Sequence, residues 1–533
     1  MQDKYSPQEI RREIRWLAVP IVLESIFSLS GNILALALLG RINSVGLDAI
    51  THVAANGMGA IINGISWWLL KGLGIGATIR ISQAYGAGDQ ERIRRLGYQT
   101  ILLLFSLGLV CGLVVFFSAD FLVSLYKPEE ALGQLARDYL RIAAAGLAFQ
   151  GIIHGATGIL QGVGDTKTPM TFSFVINFVF VISAAPLIFG WFGHPLGSTG
   201  SACGLLIGQF VTAMFCLYSL FSKGKVLAYK KKTDRHYWKP QPRLMWDVAS
   251  VGLPTSLENV FWQLGAIIIG GLMLSFGELS YAANQIGIQA ESIANMPAAS
   301  FGIVTVTLCG RALGARDNKM GQRFMTEIIK TAAAIVAFGM VLLLVFPKPL
   351  LSLLSGHEDV VSLASVYLRL MGIVLPFNTL LQIYMGCLKS TGLARLPMLT
   401  SLGGIWLIRV PLSLWVASWD QAKIAYLWMV ILVDIFARFI LVAFIYHKRK
   451  VFHGPQADQE ASDPAETLTP PEPETVSLVE GPHAESQLGL KLGTDPEPAL
   501  SPAEAAAEEA QAAAEIEALY AQYRVEPDDT DQP

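Results

Sequence analysis

The sequence predicts an all-α membrane protein with twelve transmembrane helices in two pseudo-symmetric bundles of six. Three observations lead to this fold class. Hydrophobic residues make up 53% of the 533 positions and charged residues only 15%, whereas a soluble domain carries about 25% charged residues. Apolar runs long enough to cross a bilayer follow one another along the chain. The first half of the chain also resembles the second half.

The resemblance between the halves indicates an internal duplication. Tyr139–Phe149 (YLRIAAAGLAF) recurs as Tyr367–Phe377 (YLRLMGIVLPF), a shift of 228 residues, and the same shift aligns Gln161–Met170 with Lys389–Met398. Upstream it aligns the AAN triplets at 54–56 and 282–284 and the GAGD and GARD segments at 86–89 and 314–317. One spacing that holds over more than a hundred residues predicts two copies of one structural unit. We therefore expect the functional site between them.

The predicted spans are apolar runs of about 20 residues, the length that crosses a bilayer as a helix. They are 16–39, 49–79, 97–118, 132–160, 169–190, 200–221, 247–273, 280–308, 325–346, 361–386, 397–417 and 423–446. The runs at 49–79 and 280–308 are longer than a bilayer requires, so we expect them to tilt or to extend beyond it.

The distribution of basic residues predicts the orientation. Segments on the side of the N-terminus carry 26 Lys and Arg residues, and those on the opposite side carry five. Positive residues remain in the cytoplasm, so we expect a multi-pass protein of the cell (inner) membrane with both termini cytoplasmic. Six spans per half is an even number, so the halves insert with the same polarity and their pseudo-twofold axis runs along the membrane normal.

These features divide the chain into five parts. They are a cytoplasmic helix start at 1–15, an N-lobe at 16–221, a basic linker at 222–246, a C-lobe at 247–446 and a disordered acidic tail at 451–533. Ser6, Pro7 and Glu9 have the spacing of a capped helix start. The tail holds 19 acidic and two basic residues, against 23 and 37 before it. The lysines of the linker fit a topology signal or a site for anionic lipid.

Several classes of function find no support in the sequence. The histidines are dispersed, no nucleotide-binding loop is evident, and the five cysteines form no CxxC pair. We expect no enzyme activity, no cofactor, no metal centre other than an unassigned sodium site, and no nucleic-acid partner. Transport driven by an ion gradient is the class that remains.

Charged residues inside the spans are the main candidates for the site, because they are costly at bilayer depth. Glu24 and Glu258 each follow a proline by four residues, in PIVLE and PTSLE at the start of each half. Both are candidates for binding protons or a cationic substrate. An ion pair with Lys71 is the alternative for Glu24, whereas Ala299 occupies the position equivalent to Lys71 and leaves Glu258 without such a partner.

Other polar residues inside the spans complete the candidate set. Glu291 shares a helix face with Asn284 and Asn295, and Asp434 precedes Arg438 by four residues, which predicts a structural ion pair. Arg409 is expected to anchor to carbonyl groups. The residues that could line a cavity by hydrogen bonding are Asn32, Asn177, Gln263, Asn378, Gln382 and Tyr384.

Several motifs resemble those of the multidrug and toxic compound extrusion (MATE) family. They are LQGVGDTKTPM, QAYGAGD, LGARD and IWLIRVPLS, and the similarity extends over about 16–446. The resemblance implies two bundles that form a V around a central cavity, and it places Asn177 in the N-lobe site. The chain departs from the family pattern at two positions. Ala35 stands where members of the family carry an aspartate in the first helix, although Asn32 is retained. Asn378 stands where they carry an aspartate in the tenth helix.

The expected function is therefore secondary antiport. The resemblance implies export of organic cations and other amphipathic drugs in exchange for protons or sodium, with membrane lipids as surroundings and a monomer as the unit. A flippase of lipid-linked sugars from the same superfamily is the alternative. Such a protein would need a cationic cavity for pyrophosphate, whereas the cavity candidates are mostly acidic or neutral.

Overall fold

A computed structural model describes residues 6–45, 47–191, 193–222, 226–228, 236–419, 423–449 and 451–452. This part of the chain is helical throughout and contains no strand. The acidic tail predicted for 451–533 lies outside the described residues from position 453 onward.

The helices follow the predicted spans. In the first half they are α1 (Pro7–Leu39), α2 (Ala49–Gly86), α3 (Gln90–Phe117), α4 (Ala119–Ser124), α5 (Glu130–Ala145), α6 (Leu147–Val163), α7 (Lys167–Phe189) and α8 (Gly197–Phe221). In the second half they are α9 (Pro242–Leu274), α10 (Glu278–Gly314), α11 (Asn318–Val345), α12 (Pro347–Ser352), α13 (Glu358–Ser390), α14 (Arg395–Gly403), α15 (Val410–Ala417) and α16 (Ile424–Lys448). A π-helical segment, Gly404–Arg409, joins α14 to α15.

Among the described residues, eleven helical segments are long and apolar enough to span a membrane, and α5 with α6 forms a twelfth span bent by 46°. The predicted all-α fold with twelve spans is thus confirmed. The helix start is also as predicted, because the Ser6 hydroxyl caps the Glu9 amide and the Glu9 carboxylate accepts from the Ser6 amide at 2.8 Å.

The duplication is visible in the packing as the same glycine–tyrosine contact in both halves. A Cβ on Gly287 would lie 2.5 Å from Cδ1 of Tyr367, and a Cβ on Gly59 would lie closer still to Tyr139. The two pairs occupy positions related by the shift of 228 residues. Glycine is required at both positions because the ring of a buried tyrosine fills the space beside the helix backbone.

The first helix of each half begins in the core of the other half. Ile10, Ile14 and Leu17 of α1 belong to a buried cluster built from α10, α11, α13 and α16, whereas the end of α1 packs against α7. Val248 of α9 is likewise buried among residues of α2, α3, α6 and α8. The predicted lobes, 16–221 and 247–446, therefore exchange the starts of their first helices. The repeat pattern gives the order of the helices but not the bundle that each helix end packs against.

The linker folds back onto the N-lobe where it is described. The Gln99 side-chain amide donates to the carbonyls of Tyr237 and Lys239 at 2.7 and 2.8 Å, and its oxygen accepts from the Gln241 amide at 2.8 Å. Leu227 is buried in the same core. The linker thus holds the start of α9 against the N-lobe.

Candidate functional site

The two lobes meet along α2 and α9, where small residues let the backbones approach closely. A Cβ on Gly76 would lie 2.6 Å from Cα of Gly252, so no larger side chain fits there without movement. Further along, the Ser256 hydroxyl donates to the carbonyl of Leu69 at 2.7 Å. This contact satisfies a hydroxyl that α9 would otherwise bury without a partner.

Two further contacts between the lobes are related by the internal duplication. The Gln83 side-chain amide of α2 donates to the carbonyl of Ser390 at the end of α13, at 2.7 Å. Arg311 of α10 donates to the carbonyl of Val163 at the end of α6, at 2.9 Å. Positions 83 and 311 differ by the shift of 228. Each lobe therefore satisfies a terminal carbonyl on a helix of the other lobe.

Two ion pairs hold the starts of α9 and α1 against the lobes into which they pack. Arg80 lies 2.9 Å from the Asp247 carboxylate near the start of α9, and Arg311 lies 2.7 Å from the Glu13 carboxylate near the start of α1. We call the side of the molecule where α1 begins the N-terminal face. The interlobe hydrogen bonds of Ser256, Gln83 and Arg311 lie between that face and the level of Ser256.

Glu258 lies on α9 two residues beyond Ser256 and is not free. Lys389 of α13 places Nζ 2.8 Å from Oε2, and the Ser401 hydroxyl donates to Oε1 at 3.0 Å. The side chains of both members of the ion pair are about nine-tenths buried, at 13% and 12% exposed. The expectation that Glu258 has no partner is therefore wrong. The lysine comes from α13 rather than from the position equivalent to Lys71.

Glu24 occupies the corresponding place on α1. Gln161 donates to its Oε2 at 3.1 Å. Lys71 instead lies over the rings of Trp67 and Trp68, with Nζ 4.7 and 5.1 Å from their centroids. The alternative of a direct Glu24–Lys71 ion pair is therefore not realised among the described residues.

The partners of the two glutamates are themselves repeat equivalents. Gln161 and Lys389 differ by 228, and each lies near the end of the helix that contacts its glutamate. The alignment of the two halves pairs Gln161 with Lys389, and the structure shows that each contacts a glutamate. A search limited to a lysine at position 71, or at the equivalent position 299 of the C-lobe, misses both Gln161 and Lys389.

Glu291 is the centre of a hydrogen-bond network inside the C-lobe. The Tyr367 hydroxyl donates to Oε2 at 2.5 Å, and the Asn295 amide donates to Oε1 at 3.4 Å. Asn378 extends the network by donating to Oδ1 of Asn295 at 3.1 Å. The structure thus joins three predicted residues on α10 and α13 and adds Tyr367, a residue that the sequence indicated only as part of the repeat.

Asp434 is fully buried and binds two arginines. It accepts from Arg438 at 2.7 and 3.0 Å, the predicted pair, and also from Arg409 at 2.6 and 2.7 Å. Arg409 therefore binds a carboxylate, and the expectation that it binds carbonyls is wrong. A Cβ on Gly404 would lie 2.5 Å from Oδ1 of Asp434, so glycine is required for this approach.

We expect Asp434→Asn to lower the free energy of unfolding by about 3–5 kcal/mol, because it leaves two buried guanidinium groups without their carboxylate. Thermal unfolding of the purified protein in detergent measures the loss. Asp120→Asn is the matched control, since Asp120 also faces two arginines but is 58% exposed; its loss should be about 0–1 kcal/mol. Equal losses in the two variants would contradict a structural role for the buried cluster.

The remaining predicted residues do not gather at one point. Asn177 donates to the carbonyl of Phe27 and so ties α7 to α1, and Asn284 accepts from the Trp428 indole at 3.2 Å. The side chain of Asn32 lies outside the described residues. The others are Gln263 and Gln382, both half-buried, and Tyr384, whose ring lies 4.8 Å from that of Tyr446. Among the described residues, no three His, Cys, Asp or Glu side chains come close enough to hold a metal ion.

Comparison with known proteins identifies the family. The MatE family model matches residues 20–187 and 254–415, once in each half. The probable multidrug resistance protein NorM of Thermotoga maritima is 26% identical over 437 residues, covering 81% of this chain and 90% of that protein. The probable multidrug resistance protein YoeA of Bacillus subtilis is 27% identical over 433 residues, covering 80% and 91%.

Solved structures agree on the fold. The crystal structure of MATE in complex with MaL6 superimposes with a TM-score of 0.75 at 18% identity, covering 85% of this chain and 98% of that one. The two matched segments coincide with the two lobes, which contact each other along α2 and α9. The chain belongs to the MatE family of multidrug efflux transporters.

Proposed function

We propose that the protein exports organic cations and other amphipathic drugs by alternating access of its two lobes, in exchange for protons or sodium ions. The observation that carries the proposal is the position of Glu24 and Glu258. Each lies in the helix that passes from one lobe to the other, close to the level at which the interlobe contacts end. A rearrangement of the lobes must change the surroundings of these carboxylates.

The local sequence makes such a rearrangement feasible. Pro20 and Pro254 lie within α1 and α9, four residues before the glutamates. A proline inside a helix removes one backbone hydrogen bond and allows bending at that point. Each half of the helix can then remain packed in its own lobe while the angle between the halves changes.

The carboxylates provide the coupling. Glu258 forms an ion pair with Lys389, whose Nζ lies 2.8 Å from Oε2 of the carboxylate. A proton, a sodium ion or an organic cation that binds this carboxylate competes with the other two, and this competition links their movements. One coupling ion moving down a concentration gradient equivalent to ~100 mV releases about 2.3 kcal/mol, which sustains a gradient of roughly fifty-fold in the cation exchanged for it.

The contacts between the lobes support a direction for the described state. The N-terminal face carries the excess of Lys and Arg, so by the positive-inside rule we place it in the cytoplasm. The lobes are joined on that face by the hydrogen bonds of Gln83 to Ser390 and of Arg311 to Val163. In this assignment the described conformation is closed toward the cytoplasm.

Efflux from proteoliposomes tests the proposal. Purified protein is reconstituted with ethidium inside the vesicles, and a proton gradient or a sodium gradient is imposed in turn. We expect one of the two gradients to drive ethidium movement against its concentration difference, and the matching ionophore, nigericin or monensin, to abolish it. Ethidium movement that ignores both gradients would contradict the exchange mechanism.

A further inference from the structure

Lys71 lies on a polar face of α2 in the N-lobe. Asn63, Trp67 and Lys71 follow one another at intervals of four residues, so their side chains project from the same side of the helix. His154 of α6 faces this stripe, with its ring centroid 5.2 Å from that of Trp67. The stripe is therefore enclosed between α2 and α6 and lies beside Glu24 of α1.

The ammonium group of Lys71 contacts rings rather than an acid. Its Nζ lies 4.7 Å from the Trp67 centroid and 5.1 Å from the Trp68 centroid. Glu24, the nearby carboxylate, accepts its hydrogen bond from Gln161 instead. Among the described residues, no carboxylate oxygen lies within ion-pair distance of Lys71.

Two more polar atoms along the stripe have no partner. Oδ1 of Asn63 and Nε2 of His154 are buried and form no hydrogen bond within the described part of the chain. The equivalent positions in the C-lobe differ, because Glu291 and Asn295 bond to each other and to Tyr367 and Asn378. Buried polar groups are normally paired. The unpaired atoms of the N-lobe therefore indicate a place where a ligand supplies the missing partners.

The chemistry of this place favours an anion. The ammonium group has three donors and no acceptor, and a carboxylate would form charge-assisted hydrogen bonds with it. A substrate cation would be repelled by Lys71, which already occupies the faces of both tryptophans. The edges of the same rings can still pack against an aromatic ligand.

We propose that Lys71, with Trp67 and Trp68, forms the subsite that binds the carboxylate of aromatic substrates and distinguishes them from simple cations. This inference rests on the proposed export function. It assigns Lys71 as a residue that determines specificity by charge.

The test compares two dyes that differ only in the charged group. Rhodamine 110 carries a free carboxylate, and rhodamine 123 is its methyl ester. Their binding to the purified protein is measured by fluorescence anisotropy for the wild type, Lys71→Ala and Lys71→Gln. Alanine is the residue that the C-lobe carries at the equivalent position, Ala299. We expect either variant to weaken rhodamine 110 binding by about tenfold or more, the effect of losing one charged hydrogen bond, and to leave rhodamine 123 binding unchanged or tighter.

Two further variants control for folding and for net charge. Lys71→Arg keeps the positive charge and should retain most of the affinity for rhodamine 110. Lys330→Ala removes a lysine that is 56% exposed and paired with Glu327, and should alter neither dye. Lys71→Gln decides the question if the alanine variant fails to fold, because it keeps a polar side chain of similar length.

The outcomes separate this inference from the proposed function. If the wild type exports rhodamine 123 but Lys71→Ala and Lys71→Gln bind rhodamine 110 as the wild type does, the subsite is refuted and the transport function stands. Equal weakening of both dyes would also refute it, since loss of a carboxylate contact cannot affect the ester. If the wild type exports neither these dyes nor ethidium under any gradient, the proposed function fails, whatever the binding data show.

Discussion

Glu258→Gln is expected to abolish gradient-driven export. The amide cannot bind a proton or a cation by charge, so it removes the competition on which coupling depends. The dye ratio across the membrane should fall to unity from the roughly fifty-fold that an ion gradient equivalent to ~100 mV can sustain. Dye accumulation in proteoliposomes under an imposed gradient measures this, and size-exclusion chromatography shows whether the variant is folded.

The ion pair with Lys389 requires a control, because Glu258→Gln leaves a buried lysine without its carboxylate. The variant Lys389→Gln is this control, because the N-lobe carries a glutamine, Gln161, at the equivalent position. This variant should retain coupled export with an altered pH dependence. The double variant, with both residues changed to glutamine, should fold but not export. Recovery of export in the double variant would show that Glu258 has only a structural role.

A disulfide bond across the N-terminal face should stop transport completely. A Cβ on Gly310 would lie 2.9 Å from Cβ of Ser82, somewhat below the roughly 3.5–4.5 Å within a cystine. A small separation of α2 and α10 therefore allows Ser82→Cys with Gly310→Cys to join the two helices. If the lobes must part on this face in each cycle, the oxidised protein cannot complete the cycle. Dye efflux before and after oxidation, and again after reduction, measures the effect.

The chain offers a closely matched control for this cross-link. A Cβ on Gly162 would lie 2.8 Å from Cβ of Ile81, the neighbour of Ser82, but both residues belong to the N-lobe. Ile81→Cys with Gly162→Cys should therefore form a bond of similar geometry without blocking transport. Both pairs are introduced after the five native cysteines are replaced by alanine. Full efflux from the oxidised Ser82–Gly310 pair would exclude alternating access at this face.

The fold was largely predictable because it depends on local patterns. The spans follow from apolar length, the start of α1 from the Ser6–Glu9 capping box, and the equivalence of the two halves from the repeat. The partners of the charged residues were harder to predict from the sequence. Arg409 ends a π-helical segment, where the usual angular spacing of 100° per residue does not hold. A helical-wheel argument therefore gives the wrong direction for its side chain.

The partner of Glu258 was missed for a different reason. Lys389 lies 131 positions further along the chain, and only the folded arrangement of α9 against α13 and α14 brings them together. Sequence spacing predicts contacts within one helix, such as Asp434 with Arg438. It does not predict contacts between helices unless a second copy of the pattern supplies the comparison.

The exchange of first helices between the lobes has a consequence for synthesis of the chain. The first turns of α1 emerge from the ribosome at the outset, yet Phe301, Val304 and Leu308, which bury them, follow roughly 300 residues later. At translation rates of about 5–20 residues per second, this interval is roughly 15–60 s. During that time the beginning of α1 must be sheltered by lipid or by the insertion machinery, and neither half of the gene product can complete its own core in isolation.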